Sequence, residues 1–244
     1  MNYFISGSSG FIGTAIKNHL LLIGEDVYTI PRNQSIEELT RLFNYANPDY
    51  IMHLATYGNH YDNQKDFKKM VDVNIFNTYN LLEAAKAFNY KIFYNFTATS
   101  ISGEYYYITK HCAEMLASRY DKVVNIRPYS VYGPMEANHK LVPTIIRHLN
   151  SGEQMTLTEN ATHAWIFVDD LVRALFEGNT ELGGSIKVPN IDMVKILESI
   201  SGKKLNYIPS ILRSYDNNNW QAPEGICYTT LREGLKQTYE YFTR

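Results

Sequence analysis

Short apolar runs alternate with amphipathic stretches through the first half of the chain. Asn2 to Ser6, Asp26 to Ile30, Tyr50 to Leu54, Lys91 to Thr97 and Lys122 to Ile126 are short and rich in Ile, Val, Tyr and Phe, which predicts strands. Between them, Phe11 to Ile23 sets Ile12, Ala15, Ile16, Leu20 and Ile23 on one stripe, Ser35 to Ala46 predicts a second helix, and Phe67 to Phe88 predicts a long apolar one. Alternation of this kind predicts an α/β fold, a mostly parallel, doubly wound sheet covered by helices. Arg127-Pro128 and Gly133-Pro134 punctuate the end of the regular half. Beyond them the pattern loosens, with helices expected over Leu141 to Leu149, from near Asp169, and around Asp192 to Ser201 and Leu231 to Tyr241. The polar run at 216–219 reads as a surface loop. The expected division is a regular domain over 1–133, to which 164–188 returns, and a small lobe made of 134–163 and 189–244.

A chain of 244 residues with 45% apolar character can bury a sizeable core. Its formal net charge of -2 and lack of a long basic run give no footing for nucleic acid as a partner. No apolar run reaches membrane-spanning length and the first residues do not resemble a signal peptide, so no membrane partner and a cytoplasmic location are expected. The two cysteines, Cys112 and Cys227, have no metal-ligand or redox spacing and are expected to be buried or half-buried. The histidines show no paired spacing, and no metal is expected.

Three local patterns carry chemistry. Gly7-Ser8-Ser9-Gly10-Phe11-Ile12-Gly13 follows a predicted strand and opens a predicted helix, the context of a dinucleotide site in a Rossmann-like fold. Gly7 permits the tight turn, Gly10 lets a pyrophosphate approach the backbone, and Gly13 lets helix and strand pack. At the end of the next strand, Ile30-Pro31-Arg32-Asn33 offers no acid for ribose hydroxyls but a guanidinium suited to a 2′-phosphate, which favours NADP over NAD. Tyr106 and Lys110 fall one turn apart on a helix, so the ammonium is expected to favour ionisation of the phenol, which can then exchange a proton with a carbonyl or carbinol oxygen.

Further landmarks follow in order. They are Asp49-Tyr50-Ile51-Met52-His53-Leu54-Ala55, the run Asn74 to Ala85 (NIFNTYNLLEAA), Tyr106 to Lys110 followed by Glu114, Arg127-Pro128 with Val131-Tyr132-Gly133-Pro134, Val168-Asp169-Asp170 and Arg232-Glu233-Gly234-Leu235. On these motifs the chain resembles, almost end to end, an extended short-chain dehydrogenase/reductase of the NAD-dependent epimerase/dehydratase family, most of whose members act on nucleotide sugars.

The resemblance implies that Tyr106 is the acid/base and that Lys110 lowers its pKa and binds the nicotinamide ribose. With Arg32, it implies cofactor contacts at Gly7, Ser9, Gly10, Phe11, Ile12, Gly13, Leu54, Ala55, Asn74, Tyr106, Lys110 and Val131. A nucleotide-sugar substrate, a small reduced C-terminal substrate-binding lobe, and a homodimer paired through the helices near Phe67 to Phe88 and Tyr105 to Arg119 are further implications.

The chain also departs from the pattern. Ala98 stands where a Ser or Thr should hold the substrate oxygen; Thr99 is the favoured substitute, with Thr97 and Ser100 as alternatives. Only Glu104 and Tyr105 separate Gly103 from Tyr106, where the family carries a long loop. His163 matches a position that often holds an arginine for the substrate diphosphate, while Arg147, Lys140 and Arg213 are expected to be ordinary solvated cations. Thr99-Ser100-Ile101-Ser102 lacks the acidic pair of a 4,6-dehydratase. The expectation is therefore an NADPH-dependent reductase of a 4-keto (often 6-deoxy) nucleotide sugar, the alternative an epimerase that retains NAD. A non-catalytic dinucleotide sensor is the reading of another class, and it has no need of Tyr106 and Lys110 at this spacing.

Overall fold

Residues 1–58, 66–99, 104–212 and 226–244 are described by a computed structural model. Ser100, Gly103, Arg213 and the polar run 216–219 lie outside them. The chain divides into two units, Met1–Pro128 and Tyr129–Arg244.

In the first unit, β1 (Asn2–Ser6), β2 (Asp26–Ile30), β3 (Tyr50–His53), β4 (Ile92–Phe96) and β5 (Val123–Pro128) are parallel and lie in the order β5-β4-β3-β1-β2. Phe4 and Ile5 of β1 are both fully buried, as a central parallel strand covered on two faces requires. Helices α1 (Phe11–Leu22) and α2 (Ile36–Ala46) follow the first two strands. The second begins with a capping box, in which Glu38 N–H donates to Ser35 Oγ at 3.2 Å and Ser35 N–H donates to the Glu38 carboxylate at 2.8 Å. Phe4, Phe43, Ile51, Leu81, Leu82 and Phe93 form the heart of one core cluster. The strand order reverses its direction of growth between β1 and β3, and ligands of doubly wound sheets bind at such a switch point.

The long helix expected over Phe67 to Phe88 is broken into α3 (Phe67–Met70), a π-helical segment (Val71–Phe76) and α4 (Asn77–Ala85). A π turn holds one residue more than the α period allows, and such turns gather at functional sites. The buried residue of this segment is Asn74. The helix α5 (Tyr105–Ala117) then leads to β5.

The second unit contains β6 (Ser130–Tyr132), α6 (Leu141–Ser151), β7 (Met155–Leu157), β8 (Thr162–His163), β9 (Trp165–Phe167), α7 (Val168–Phe176), β10 (Glu181–Leu182), β11 (Val188–Pro189), α8 (Asn190–Ser201), β12 (Tyr207–Pro209) and α9 (Leu231–Phe242). The expected helices are all present there. The short strands were not anticipated, because two or three residues give no usable period. They pair as β6 with β9, β7 with β12 and β8 with β11. Tyr132, Ile145, Ile146, Met193, Leu197 and Leu235 build its core. Asp170 is buried and structural, since its carboxylate accepts the Thr229 N–H at 2.9 Å and the Thr229 hydroxyl at 2.7 Å, holding the segment that enters α9.

Both cysteines are exposed, against expectation. Cys112 sits on α5, where the buried positions are Thr109, Lys110, Ala113 and Ala117. Among the described residues, no helix is long and apolar enough to cross a membrane.

Candidate active site

The glycine turn leaves the C-terminal end of β1. Gly7 has φ +74, Gly10 N–H donates to Gly7 O at 3.0 Å, and a Cβ on Gly13 would stand 2.1 Å from that same oxygen. Side chains at Gly7 and Gly13 are thus excluded by strain and by contact, so the turn exists only with glycine there. Gly10 caps α1 without any side-chain hydrogen bond, Ser9 and Gly10 are exposed, and Phe11 and Ile12 are half-buried. Backbone N–H groups at the helix start therefore remain for an anion, and the cradle fits a dinucleotide pyrophosphate. Leu54 and Ala55, just past β3, border the turn: a Cβ on Gly7 would lie 2.8 Å from Ala55 N.

Arg32 is exposed beyond β2. Beside it, Asn33, Gln34 and Ser35 face Asp72, Phe76, Asn77 and Asn80 across an open hollow of about 510 Å³. Val131, half-buried and paired with Ile166, belongs to the second unit.

Behind the turn runs a buried chain of hydrogen bonds whose directions are determined. Thr78 Oγ1 donates to Asn74 O at 2.8 Å, so it accepts the His53 Nε2–H at 2.9 Å. The opposite nitrogen, Nδ1, then accepts the Ser6 hydroxyl at 2.6 Å, and Ser6 Oγ accepts the Ala55 N–H at 3.2 Å. His53 is neutral, because desolvation and the neighbouring Lys110 charge push its imidazole down to about 3.

Asn74 ties this chain to the catalytic pair. Its Oδ1 accepts from Tyr57 N–H at 2.8 Å and Thr56 Oγ1 at 3.0 Å, and its Nδ2 donates to Tyr57 O and Thr109 Oγ1, each at 3.0 Å. Thr109 Oγ1 in turn donates to Tyr106 O at 3.0 Å. All four hydrogen-bonding sites of the Asn74 amide are used, which holds it in one orientation.

Tyr106 and Lys110 lie one turn apart on α5, as the spacing predicts. The expected lowering of the phenol by Lys110 is not found. Burial pushes the Tyr106 phenol up, opposed by the Thr56 hydroxyl. Lys110 donates Nζ–H to Phe96 O at 2.5 Å, and desolvation pushes its ammonium down to about 8. Its charge is committed to the end of β4.

Thr97 is excluded as a substrate donor by its own bonds. It is buried, and its hydroxyl is spent on Lys110 O at 3.3 Å and the Glu114 carboxylate at 3.1 Å, with Glu114 also paired to Arg127. Thr99 is exposed beyond β4, and Ala98 is half-buried. In the second unit, His163 Nδ1 lies 3.1 Å from Ser130 Oγ and its ring centroid is 5.0 Å from that of Trp165.

Motif spacing missed Thr56, Ser6 and Thr78. A polar residue at the C-terminal end of each of two apolar strands, Ser6 and His53, was the available signal.

Comparison with known proteins agrees with this geometry. The NAD dependent epimerase/dehydratase family matches residues 3–177. The dTDP-glucose 4,6-dehydratase of Neisseria gonorrhoeae is 24% identical, over 83% of this chain and 80% of that protein. Among solved structures, the UDP-glucose 4-epimerase of Thermus thermophilus in complex with NAD is similar with a TM-score of 0.82 at 18% identity, covering 99% of both chains. The UDP-glucuronic acid 4-epimerase of Bacillus cereus, in complex with UDP-glucuronic acid and NAD, gives 0.83 at 22% identity, again with 99% of both chains covered. With the glycine cradle at the sheet's switch point and the tyrosine-lysine pair on α5, the chain belongs to the NAD dependent epimerase/dehydratase family, of the extended short-chain dehydrogenase/reductase type.

Proposed function

We propose that this chain is an NADPH-dependent reductase of a 4-keto (6-deoxy) nucleotide sugar, with Tyr106 as proton donor. The observation that carries the reading is the state of Tyr106: burial holds its phenol protonated, as a donor requires. When bound, the nicotinamide supplies the hydride. Tyr106 gives its proton to the keto oxygen, and Thr99 hydrogen-bonds that oxygen. Lys110 holds the nicotinamide ribose, and the Gly7 to Gly13 turn holds the pyrophosphate. Arg32 supports NADP, since an exposed guanidinium just past β2 can pair with a 2′-phosphate.

The second reading is an epimerase that retains NAD, and the NAD-bound epimerases of the same fold favour it. Dehydration is disfavoured, because Thr99-Ser100-Ile101-Ser102 supplies no acidic pair.

The two readings separate in one experiment. Purified protein is mixed with NADPH and a panel of UDP- and dTDP-linked 4-keto sugars while the nicotinamide absorbance is followed. Stoichiometric loss of NADPH, reduced about 10²–10⁴-fold in a Tyr106→Phe variant, is the expected result. Interconversion of UDP-sugars without consumption of NADPH, with NAD released on denaturation, would establish the epimerase instead. A Thr99→Val variant with full turnover would remove Thr99 from the site.

A further inference from the structure

Thr109 occupies a position on α5 that the Tyr106-Lys110 spacing does not use, and it is fully buried. A helical threonine can satisfy its hydroxyl locally by donating to a carbonyl one turn back, and Thr109 Oγ1 does so with Tyr106 O at 3.0 Å. A second bond is not local. Asn74 Nδ2, 35 positions away in the π-helical segment, donates to the same hydroxyl oxygen at 3.0 Å. The directions are determined, because the amide nitrogen can only donate and the Tyr106 carbonyl can only accept. Asn74 is itself held by Tyr57 N–H at 2.8 Å, Tyr57 O at 3.0 Å and Thr56 Oγ1 at 3.0 Å. The turn from Tyr106 to Lys110 is thus tied at two places. Lys110 joins it to the end of β4, through Nζ to Phe96 O and through its own carbonyl to Thr97, and Thr109 joins it to the π-helical segment.

We propose that Thr109 is a positioning residue of this centre: its hydroxyl, accepting from the Asn74 amide and donating to the Tyr106 carbonyl, fixes the turn that carries Tyr106 against the π-helical segment and so sets where the phenol stands. The proposal rests on the proton-donor role of Tyr106 given above. A displacement of about 1 Å between reacting groups can cost on the order of 100-fold in rate, so one bond that fixes a backbone can govern turnover without touching substrate. Replacing Thr109 by valine keeps the size of the side chain and removes only the hydroxyl. Asn74 keeps its bonds to Tyr57 and Thr56, so the loop after β3 stays tied to the π-helical segment. What is lost is the link to α5: one buried Asn74 N–H is left unpaired and the Tyr106 carbonyl loses a donor. Cofactor binding should therefore survive where turnover does not.

The test compares wild type, Thr109→Val and Thr109→Ser, each as the full chain. Nicotinamide fluorescence gives the Kd for NADPH, and NADPH oxidation with the keto-sugar substrate gives kcat and KM. A third measurement needs no substrate: deuterium exchange of the backbone amides of α5, followed by mass spectrometry. Thr109→Val is expected to lower kcat about 10–100-fold, to leave the NADPH Kd and the sugar KM within about twofold, and to speed exchange in the peptide spanning Tyr106 to Lys110. Thr109→Ser should return all of these to near wild type. A residue that served stability alone would lower the denaturation midpoint and leave kcat of the saturated enzyme unchanged, and that result overturns the proposal. A Kd for NADPH that rises in step with the loss of kcat, or a loss that serine does not restore, also overturns it. If Thr109→Val binds no NADPH, Thr109→Ala takes its place, and failure of both to bind shows a residue needed for the fold instead. If wild type consumes no NADPH, the reductase reading fails and the exchange decides alone: faster exchange in Thr109→Val, restored by serine, supports the link, and unchanged exchange overturns it.

Discussion

Ser6 Oγ lies 2.6 Å from His53 Nδ1, joining the ends of two adjacent parallel strands through side chains rather than backbone. His53 is 2% exposed and its imidazole is pushed down from 6.5 to about 3. The unfolded chain therefore binds a proton between those values that the folded chain does not, and stability falls as pH drops from 6.5 toward 3. The slope from this residue approaches about 1.4 kcal/mol per pH unit. Urea denaturation across that window should show a shallower acid loss in His53→Gln, whose amide takes up no proton. Parallel curves for the two proteins would mean that His53 is not held neutral.

Lys110 should show the same linkage at the other end of the scale. Its ammonium is pushed down from 10.5 to about 8, so between those values the unfolded chain again binds the extra proton and stability rises with pH. At neutral pH the buried charge costs on the order of 3 kcal/mol relative to a neutral amine. Lys110→Met should lack this alkaline gain. The difference between its denaturation midpoint and that of wild type, measured at pH 8 and 10, should move in favour of wild type. Turnover should be lost in the variant at every pH.

In the proposed function, cofactor choice turns on Arg32. If its guanidinium pairs with the 2′-phosphate, Arg32→Ser should weaken NADPH binding by about tenfold or more and leave NADH nearly unaffected. Titration of the nicotinamide fluorescence with both cofactors reads this directly. Equal losses for the two would place Arg32 outside the 2′-position.

The exposed side chains Tyr105, Ile108 and Met115 of α5, with Phe67, Phe76 and Tyr79 of the preceding helical run, suit the expected homodimer. Sedimentation equilibrium should find a dimer in the wild type and a monomer in an Ile108→Glu, Met115→Glu double variant. A monomeric wild type at micromolar protein would end this expectation.

The parts legible in the sequence were those written in local spacing. The glycine turn and the Tyr106-Lys110 pair are read from neighbours a few positions apart, and the five strands of the first unit from runs of apolar residues. What stayed hidden depends on residues brought together by the sheet. Ser6 and His53 are 47 positions apart, and Asn74 lies 17 from Tyr57 and 35 from Thr109. The Tyr106-Lys110 spacing correctly set the pair on one helix face but could not foresee burial, which reverses the sign expected for the phenol.

The widened turn at Val71–Phe76 has a consequence for how this protein can be altered. One residue advances a helix by about 100°. Deleting a single exposed position such as Phe76 would let the whole run from Phe67 to Ala85 settle into unbroken α geometry. Because the π turn is one residue longer than the α period, the helix on either side would keep its register and only the residues of the widened turn would shift. Asn74 and Thr78 would then stand three positions apart rather than four, and the bond from the Thr78 hydroxyl to Asn74 O, which orients Thr78 toward His53, would be lost. The site is thus protected less by the identity of the helix's surface residues than by their number, and a change of length there would silence it where a change of side chain would not.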